Sequence, residues 1–503
     1  MQLANQYLMG IDIGTLGSKG LITDDKGNII SEHFLEHDII YPKPGWAEHD
    51  PEKHWWKEFC EIVKMLLKKS KIEPENIAGI SVSGLFPNMC PVDKEGNPVR
   101  NAILYSDNRA IEEIEFINMS LGTSLTSEDV TPKILWFKKN EPEKFEKTQK
   151  ILGTQGYIVY KLTGKYAIDY PSALIFGGIF DLEQLKWRDE VCEQIGIPVD
   201  VLPTPYPASK VIGEVTEDAA EVTGLAKNTP VIVGSGDTYL SMLGAGVIEQ
   251  GDAMAYYGTA GLLIICNCSL QEFMSSMKID SKKEPIILST YILTTGGLLK
   301  WFRDQFAPYE FEIEKKLGVS SYHILDDQAN NIPPGSDGLI VIPYFMGQRS
   351  PTFNPLARGI IFGLTTSHTR IHVYRALLES FGYGIFHGLE KLKEQGESPP
   401  KRIVATGGGA KSRLWRQIVT DIINMPQEYI PRADAPYGNA FLAGYGVGLF
   451  KDFKTIKEKW LRVEDVTLPR QEVNKKYQKL FEVYRNLHFS LQERYAELAQ
   501  ALY

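Results

Sequence analysis

Asp12 is the one acid inside an almost wholly apolar, strand-like run, "YLMGIDIGTLGSKGLI", two residues before a Gly-Thr-Leu-Gly turn that starts at Gly14. Glycine turns after strands bring backbone N–H groups close to a ligand, and Thr15 adds a hydroxyl group. A buried carboxylate needs compensation by a cation or by hydrogen-bond donors. Hydrated Mg²⁺ is the natural compensator beside a phosphate-binding turn, and Lys19 would add a point charge for the same phosphates. The alternative is that Asp12 only accepts N–H bonds from its own turn.

A second acid, Asp237, ends another buried run in "VIVGSGDTYLSMLGAG" and begins a predicted helix. An aspartate at a helix start is often only an N-cap. It can also serve as a general base that accepts the proton of an attacking hydroxyl group. The local sequence favours neither interpretation.

Two further glycine-rich turns are candidate ligand loops. Gly258 and Thr259 begin a second Gly-Thr-x-Gly turn, and "ATGGGAKSRLW" contains Gly408 and Gly409 between a predicted strand and a predicted helix. The third loop suits a flat group such as adenine lying against bare backbone, although it is equally typical of a structural turn. Neither the P-loop pattern nor G-x-G-x-x-G fits the first turn, which disfavours those two nucleotide sites.

The elements that must position these residues alternate between short apolar strands closed by glycine and helical stretches, which is typical of an α/β chain. The two strand, Gly-Thr-x-Gly and strand segments predict two domains of like design, residues 1–248 and 249–503. The last segment has one apolar stripe and predicts a long C-terminal helix. That helix is either a dimer seam or packed on its own domain, and we favour packing.

The motifs together resemble the FGGY carbohydrate kinases, relatives of hexokinase, actin and the Hsp70 ATPase domain. The similarity runs from about residue 7 to residue 450 and rests on Asp-x-Gly-Thr, Gly-x-Gly-Asp, a second Gly-Thr-x-Gly and Gly-Gly-Gly-Ala-x-Ser-x-x-Trp-x-Gln, in that order. The resemblance implies two ribonuclease H-like (actin-like ATPase) domains flanking a catalytic cleft. It also implies ATP and Mg²⁺ as cofactors and in-line phosphoryl transfer to a sugar.

The resemblance assigns roles residue by residue. Asp12 would be the acid associated with Mg²⁺, and Asp237 the base that deprotonates the sugar hydroxyl. The phosphate and nucleotide contacts would be Gly14, Thr15, Lys19, Gly258, Thr259, Gly408 and Gly409.

The sequence departs from the resembling xylulose kinases where the sugar is recognised. Phe86 and Pro87 replace the Met-His of Gly-Gln-Met-His-Gly, Thr238 follows the base in place of Asn, and Tyr105 replaces the Trp of Leu-Trp-Asn-Asp. Such side chains recognise hydroxyl patterns, so kinase chemistry is expected while the substrate is open. D-xylulose is our first candidate. Ribulose, fuculose or rhamnulose, gluconate, glycerol and other polyols are the alternatives.

The composition and charge bear on the partners and the location of the protein. A net charge of -9 with interspersed acids and bases argues against a nucleic-acid partner. Five cysteines without zinc or redox spacing indicate reduced thiols in a cytoplasmic protein. The uncharged run 253–271 fits a strand, a turn and a strand better than a membrane span. The resemblance also suggests a homodimer. A minor alternative from another class is an actin- or Hsp70-type ATP-dependent clamp that acts on a protein partner.

Overall fold

The computed structural model describes residues 6–280 and 283–502, which form two compact units. The first unit contains the described residues up to Ile248, those within Ser269–Lys283, and Ala433–Leu461. The second unit contains the other described residues, including Arg462 onwards. Two segments from the second half of the chain therefore fold with the first unit.

The first unit is built on a seven-stranded sheet. Its strands are β1 (Tyr7–Ile13), β2 (Gly17–Asp24), β3 (Ile29–Glu36), β4 (Ile77–Gly84), β5 (Val211–Glu214), β6 (Pro230–Ile232) and β7 (Ser235–Gly236). The strand order is β5-β6-β4-β1-β2-β3, and β7 also pairs with β4. Strands β1, β2 and β3 are antiparallel neighbours, whereas β1 and β6 run parallel to β4.

The second unit has a six-stranded sheet. Its strands are β8 (Asp252–Tyr257), β9 (Gly261–Cys266), β10 (Ile286–Ile292), β11 (Arg402–Thr406), β12 (Gln427–Tyr429) and β13 (Asp465–Thr467). The order is β10-β9-β8-β11-β12-β13. Strands β8, β9 and β10 are antiparallel, β8 and β12 run parallel to β11, and β13 closes the edge antiparallel to β12.

The two sheets have the same topology. In each sheet, three antiparallel strands form a meander, and the first of them pairs with the first of two parallel strands. An antiparallel strand then forms the far edge. The Gly-Thr-x-Gly turns join β1 to β2 and β8 to β9, at matching places. The sheets of the two halves are therefore of like design. The strand, turn and strand predicted within 253–271 are confirmed.

Helices cover these sheets. In the first unit they are Glu58–Ser70, Ile111–Leu121, Val130–Asn140, Pro142–Glu146, Thr154–Thr163, Tyr170–Leu174, Asp189–Ile195, Glu217–Thr223, Asp237–Gly244, Leu270–Ser276 and Ala435–Gly446, with π-helices Pro51–Lys57 and Ile456–Trp460. In the second unit they are Gly296–Phe306, Pro308–Leu317, Ser321–Asn330, Arg370–Glu394, Arg413–Ile423, Gln471–Ser490 and Gln492–Leu502. Short 3₁₀ turns occupy Pro74–Asn76, Val199–Val201, Ser336–Gly338 and Gly408–Lys411.

Two-stranded ribbons complete the fold. They pair Glu48–His49 with Ala102–Ile103, Cys90–Val92 with Lys150–Leu152, Ala167–Asp169 with Thr204–Tyr206, Phe180–Asp181 with Lys186–Trp187, and Ile340–Ile342 with Ile360–Phe362.

The helix Ala435–Gly446 packs directly on β1. A Cβ atom at Gly10 would lie 2.0 Å from the carbonyl oxygen of Pro436, so only glycine allows this approach. A Cβ atom at Gly438 would lie 1.9 Å from the carbonyl oxygen of Leu240, in the helix Asp237–Gly244. The helix therefore connects the strand that carries Asp12 with the helix that Asp237 begins.

The C-terminal segment forms two helices, Gln471–Ser490 and Gln492–Leu502, interrupted at Leu491. Tyr477, Phe481 and Tyr484 are buried in the core of the second unit. The stripe therefore packs on its own unit, as we favoured over a dimer seam. Within the described ranges, no helix combines the length and apolar character needed to cross a membrane.

Candidate functional site

Asp12 lies near the end of β1, opposite Lys19 in β2 and beside Ser83 in β4. The Ser83 hydroxyl donates a hydrogen bond of 2.6 Å to Oδ1 of Asp12. Asn439 in turn donates from Nδ2 to the Ser83 oxygen at 2.6 Å and to the carbonyl of Ile11 at 3.0 Å. The carboxylate is thus oriented by a chain of polar groups in the first unit.

Sequence reasoning missed Ser83 and Asn439. The only local signal for Ser83 is its alternation with Ser81 in the otherwise apolar "GISVSG" of β4. Ser81 also belongs to the chain, because its hydroxyl donates to Oδ1 of Asn439 at 2.9 Å. Buried polar groups need such partners, so these residues support the position of Asp12.

Lys19 forms an ion pair with another residue that sequence reasoning missed, Asp434. The distance from Nζ to Oδ2 is 2.6 Å, and both side chains are about one-third exposed. Asp434 is also the N-cap of the helix Ala435–Gly446 and accepts from the Tyr437 backbone N–H at 3.3 Å. The helix that packs on β1 therefore brings a carboxylate to the Lys19 ammonium group.

Burial raises the pKa of Asp12 well above the usual carboxyl range, and the negative charges of Asp237 and Asp434 raise it further. The Ser83 hydrogen bond and the Lys19 charge oppose this rise only in part. A bound cation would relieve the excess of negative charge. Across residues 6–280 and 283–502, no three His, Cys, Asp or Glu side chains are arranged to hold a metal ion. A single carboxylate does fit Mg²⁺, which takes one or two carboxylates together with substrate phosphates and water.

Asp237 is the first residue of the helix Asp237–Gly244, and Gly236 is the N-cap. The N-cap alternative for Asp237 is therefore wrong. Its Oδ1 accepts hydrogen bonds from the backbone N–H and hydroxyl group of Thr238, at 2.6 and 3.2 Å. Burial raises the pKa of Asp237, and the Thr238 hydrogen bonds limit the rise. A carboxylate whose pKa is raised toward neutrality is a better proton acceptor for an alcohol.

Phe86 lies against the residue that precedes Asp237. A Cβ atom at Gly236 would lie 2.9 Å from the Phe86 ring, which also packs on Tyr239 with ring centroids 6.1 Å apart. Pro87 is buried and joined to Phe86 by a cis peptide bond. Tyr105 is partly buried against the core of the first unit. The structure thus brings Phe86 next to the Asp237 segment.

Of the predicted nucleotide and phosphate contacts, Gly258, Thr259, Gly408 and Gly409 line a cavity of about 710 Å³ within the second unit. Its lining residues are Tyr256, Tyr257, Gly258, Thr259, Gly296, Gly297, Leu299, Lys300, Ser320, Tyr322, His323, Asp326, Tyr374, Gly408, Gly409, Lys411, Ser412 and Trp415. The volume is in the range of small-molecule sites. The second Gly-Thr-x-Gly turn and the triple-glycine loop, far apart in sequence, therefore meet at one cavity.

The second turn is fixed to the start of the helix Gly296–Phe306. The carbonyl of Gly258 accepts from Gly296 N–H at 2.9 Å, and that of Thr259 accepts from Gly297 N–H at 3.1 Å. Sequence reasoning missed this helix start, although its signal is the glycine pair in "TTGGLLKW". Lys300, one turn into the helix, brings a positive charge to the cavity.

The two glycines of the third loop differ. A Cβ atom at Gly408 would meet nothing within 4 Å, so its backbone is open to the cavity. A Cβ atom at Gly409 would lie 2.3 Å from the ring of Trp415. Gly408 is therefore the glycine whose exposed backbone can border a ligand, and Gly409 also has a packing role.

Asp326 is the only carboxylate among the described residues that line the cavity. The Tyr374 hydroxyl donates to its Oδ1 at 2.9 Å. Burial raises the pKa of Asp326, and a hydrogen bond from Ser412 lowers it. This acceptor beside flat aromatic walls suits a base with an exocyclic amino group.

Comparisons with known proteins find similar chains. Residues 7–244 match the N-terminal domain of the family described as "FGGY family of carbohydrate kinases". Residues 253–447 match the C-terminal domain of the same family. The chain is 29% identical to a xylulose kinase of Bacillus subtilis (strain 168), over 96% of this chain and 97% of that protein. It is also 29% identical to a gluconokinase of Bacillus licheniformis, over 98% of both.

A solved structure shows the same likeness. The crystal structure of xylulose kinase from Rhodospirillum rubrum is 27% identical and superposes with a TM-score of 0.82, covering 98% of this chain and 100% of that one. The two-domain α/β fold expected from the sequence, of the actin-like ATPase type, is confirmed.

Proposed function

Since the chain belongs to the FGGY family of carbohydrate kinases, we propose that it transfers the γ-phosphate of ATP to a hydroxyl group of a ketopentose, with D-xylulose as first candidate. The observation that carries the chemistry is Asp237, a carboxylate with a raised pKa at a helix start, oriented by Thr238. Similarity to xylulose kinases supports the choice of sugar.

In the proposed reaction, Asp237 accepts the proton of the substrate hydroxyl. The hydroxyl oxygen forms a bond to the γ-phosphorus, the bond from that phosphorus to the β,γ-bridging oxygen breaks, and ADP leaves. Such transfers are catalysed mainly by positioning and by stabilisation of charge on the phosphoryl oxygens. The chain must therefore hold the two reactants in line and remove one proton.

The phosphate contacts are assigned to the two Gly-Thr-x-Gly turns. In the first turn, Thr15 would contribute its hydroxyl, and Gly14, whose N–H donates to the carbonyl of Gly17 at 3.0 Å, would let the backbone approach the phosphate because it has no side chain. Lys19 would exchange its ion pair with Asp434 for one with phosphate. In the second unit, Gly258 and Thr259 would hold the terminal phosphates. Gly408 and Gly409 would border adenosine, as the cavity that they share with Gly258 supports.

Asp12 is the proposed Mg²⁺-associated carboxylate. The excess negative charge around it, from Asp237 and Asp434, supports the presence of a cation. Bound Mg²⁺ would neutralise charge on the phosphate oxygens. Ser83 would keep Asp12 in a fixed orientation, because its hydroxyl donates to the carboxylate.

The sugar side is assigned to Phe86, Pro87 and Tyr105, together with Asp237. The Phe86 ring beside Gly236 offers an apolar surface and no hydrogen bond. A site built this way discriminates hydroxyl patterns differently from one with a histidine. Ribulose, fuculose or rhamnulose, gluconate, glycerol and other polyols are therefore the alternative acceptors, and gluconate is supported by the similarity to a gluconokinase.

The test is a coupled ADP assay of the purified protein against a panel of ketoses, aldonates and polyols. We expect ADP release that depends on one acceptor, with D-xylulose giving the highest kcat/KM. A higher kcat/KM for gluconate or a polyol would overturn the choice of sugar and leave the kinase chemistry intact. ATP hydrolysis at the same rate with and without every acceptor would instead favour the clamp-like alternative.

A reducing compartment, the cytoplasm, is proposed as the location. In the part of the chain that the structure describes, Cys60, Cys90, Cys192, Cys266 and Cys268 are all free thiols.

We also propose a homodimer, on family resemblance alone, and light scattering of the purified protein tests it.

A further inference from the structure

Three histidines lie behind the first Gly-Thr-x-Gly turn, and the proposed reaction gives none of them a role. The rings of His37, His49 and His54 have centroids 4.8 to 5.3 Å apart, and all three side chains are buried. They do not form a metal centre, because the described residues contain no set of three such ligands with suitable geometry. Their contacts point instead to the turn.

His37 holds the turn with both its backbone and its ring. Its backbone N–H donates to the carbonyl of Leu16 at 3.2 Å, and Nε2 lies 3.1 Å from the carbonyl oxygen of Gly14. Nδ1 lies 2.8 Å from Oε2 of Glu58. A carbonyl only accepts, so Nε2 carries a proton and donates to Gly14. The ring therefore links the carbonyl of Gly14 to the carboxylate of Glu58.

Glu58 extends this support to the far side of the turn. The same Oε2 atom accepts a hydrogen bond of 2.8 Å from the hydroxyl of Ser18, in β2. The turn is therefore fixed at Gly14, Leu16 and Ser18 by one His37–Glu58 pair. A turn that must present its N–H groups to an anion gains from such fixation, because its geometry is set before the anion arrives.

The π-helix Pro51–Lys57 completes the arrangement. It places the His54 ring on the His37 ring, with the two planes 10° apart, and the Trp55 indole N–H donates to Nδ1 of His49 at 3.1 Å. Glu58 follows at its end. Single π-turns are rare and occur frequently at functional sites. Burial and the neighbouring His37 lower the pKa of both His49 and His54, which favours the neutral form of these two rings.

We propose that His37 is a positioning residue for the phosphoryl donor: with Glu58 it fixes the first Gly-Thr-x-Gly turn at Gly14, Leu16 and Ser18. This inference rests on the proposed function, in which that turn binds phosphate groups of ATP. It predicts that His37 acts on the affinity for phosphates and not on adenosine or sugar binding.

The test compares His37→Leu, which removes both donors, with His37→Gln, which keeps one N–H donor. His33→Gln, at a partly exposed position in β3, is the matched control. Calorimetry without sugar measures the Kd of ATP with Mg²⁺ and of adenosine, and the coupled assay measures the KM of the sugar. We expect His37→Leu to weaken ATP binding at least about tenfold, as for lost charge-assisted hydrogen bonds. Adenosine Kd and sugar KM should stay unchanged, and His37→Gln should recover part of the loss.

Glu58→Gln provides a second route to the same result should the Leu variant fail to fold. It retains the shape of the side chain and removes the charge that holds His37, so ATP binding should again weaken while adenosine binding persists. Wild-type ATP affinity in these variants would overturn the inference. So would an equal loss for ATP, adenosine and sugar, which would show only structural support. A wild-type protein that does not bind ATP would instead refute the proposed function on which the inference rests.

Discussion

The two Gly-Thr-x-Gly hairpins occupy equivalent places in two sheets of the same topology, yet they are equipped differently. In the first, Asp12 lies two residues before the turn, between Ser83 of the parallel neighbour and Lys19 of the antiparallel one. In the second, the equivalent residue is Tyr256, between Thr406 and Leu262. A carboxylate in one unit thus corresponds to an aromatic ring in the other.

The surroundings of the two hairpins differ in the same way. Negative charges surround Asp12 in the first hairpin, because Asp237 and Asp434 both raise its pKa. The second borders a cavity, in which the Tyr256 ring would contact a Cβ atom at Gly258 at 2.1 Å. One architecture therefore carries a cluster of acidic side chains in the first unit and a cavity of ligand size in the second, because function depends on side chains placed on a shared fold.

Of the substitutions that test this difference between the two units, Asp237→Asn should have the largest effect. The Asn side chain can still accept from the Thr238 N–H, so the fold persists, but it cannot take up a proton. We expect kcat to fall roughly 10²–10⁴-fold, as for loss of a general base, with ATP affinity retained. The coupled ADP assay and calorimetry measure the two quantities. Asp218→Asn, an exposed aspartate in the same unit, is the control. Near-wild-type turnover of Asp237→Asn would refute the base assignment.

Asp12→Asn should separate catalysis from stability. Asn keeps the acceptor for Ser83, so turnover and its dependence on Mg²⁺ should fall while sugar binding survives. Because burial raises the pKa of Asp12 above its value in the unfolded chain, the folded state binds this proton more tightly. The wild type therefore loses stability as the pH rises from the usual carboxyl range toward neutrality.

The Asn variant without ligands should consequently melt a few degrees above the wild type at pH 8, and the difference should shrink at pH 5. Thermal melting at the two pH values measures this, with the exposed Asp25→Asn as control. A variant that is less stable than the wild type at pH 8 would show that Asp12 is already well compensated, and would weaken the case for a cation there.

Much of this arrangement could be predicted from the sequence, because glycine turns, apolar strands and acids next to them are local signals. The two hairpins and the position of Asp237 at a helix start were recognised in that way. Ser83, Asn439 and Asp434 were not, since their contacts join residues 71, 356 and 415 positions apart. Such pairs become visible only when the helix Ala435–Gly446 is seen to pack on β1. The catalytic, nucleotide and sugar roles themselves stay predictions.

Gly408→Ala and Gly409→Ala should divide binding from packing in the second unit. A methyl group at Gly408 enters open space, so stability should be unchanged while the KM for ATP rises about tenfold through crowding of the cavity. A methyl group at Gly409 meets Trp415, so this variant should lose about 1–3 kcal/mol of stability. Steady-state kinetics and thermal melting distinguish the two. Equal effects of both substitutions on KM, with no loss of stability, would contradict the separate roles.

Thr238→Val should have the smallest effect of these substitutions. It changes the pKa of Asp237 in the first unit. The hydroxyl of Thr238 donates to Asp237 and lowers its pKa, whereas Val removes only this side-chain bond and keeps the backbone one. The pKa of Asp237 should therefore rise, and the acid limb of the kcat/KM profile should move to higher pH by less than about one unit. Thr238→Ser, which keeps the hydroxyl, should leave the limb in place. A shift in the opposite direction would show that the acid limb belongs to a group other than Asp237, and the contrast between a proton-accepting unit and a ligand-binding unit would then need another base.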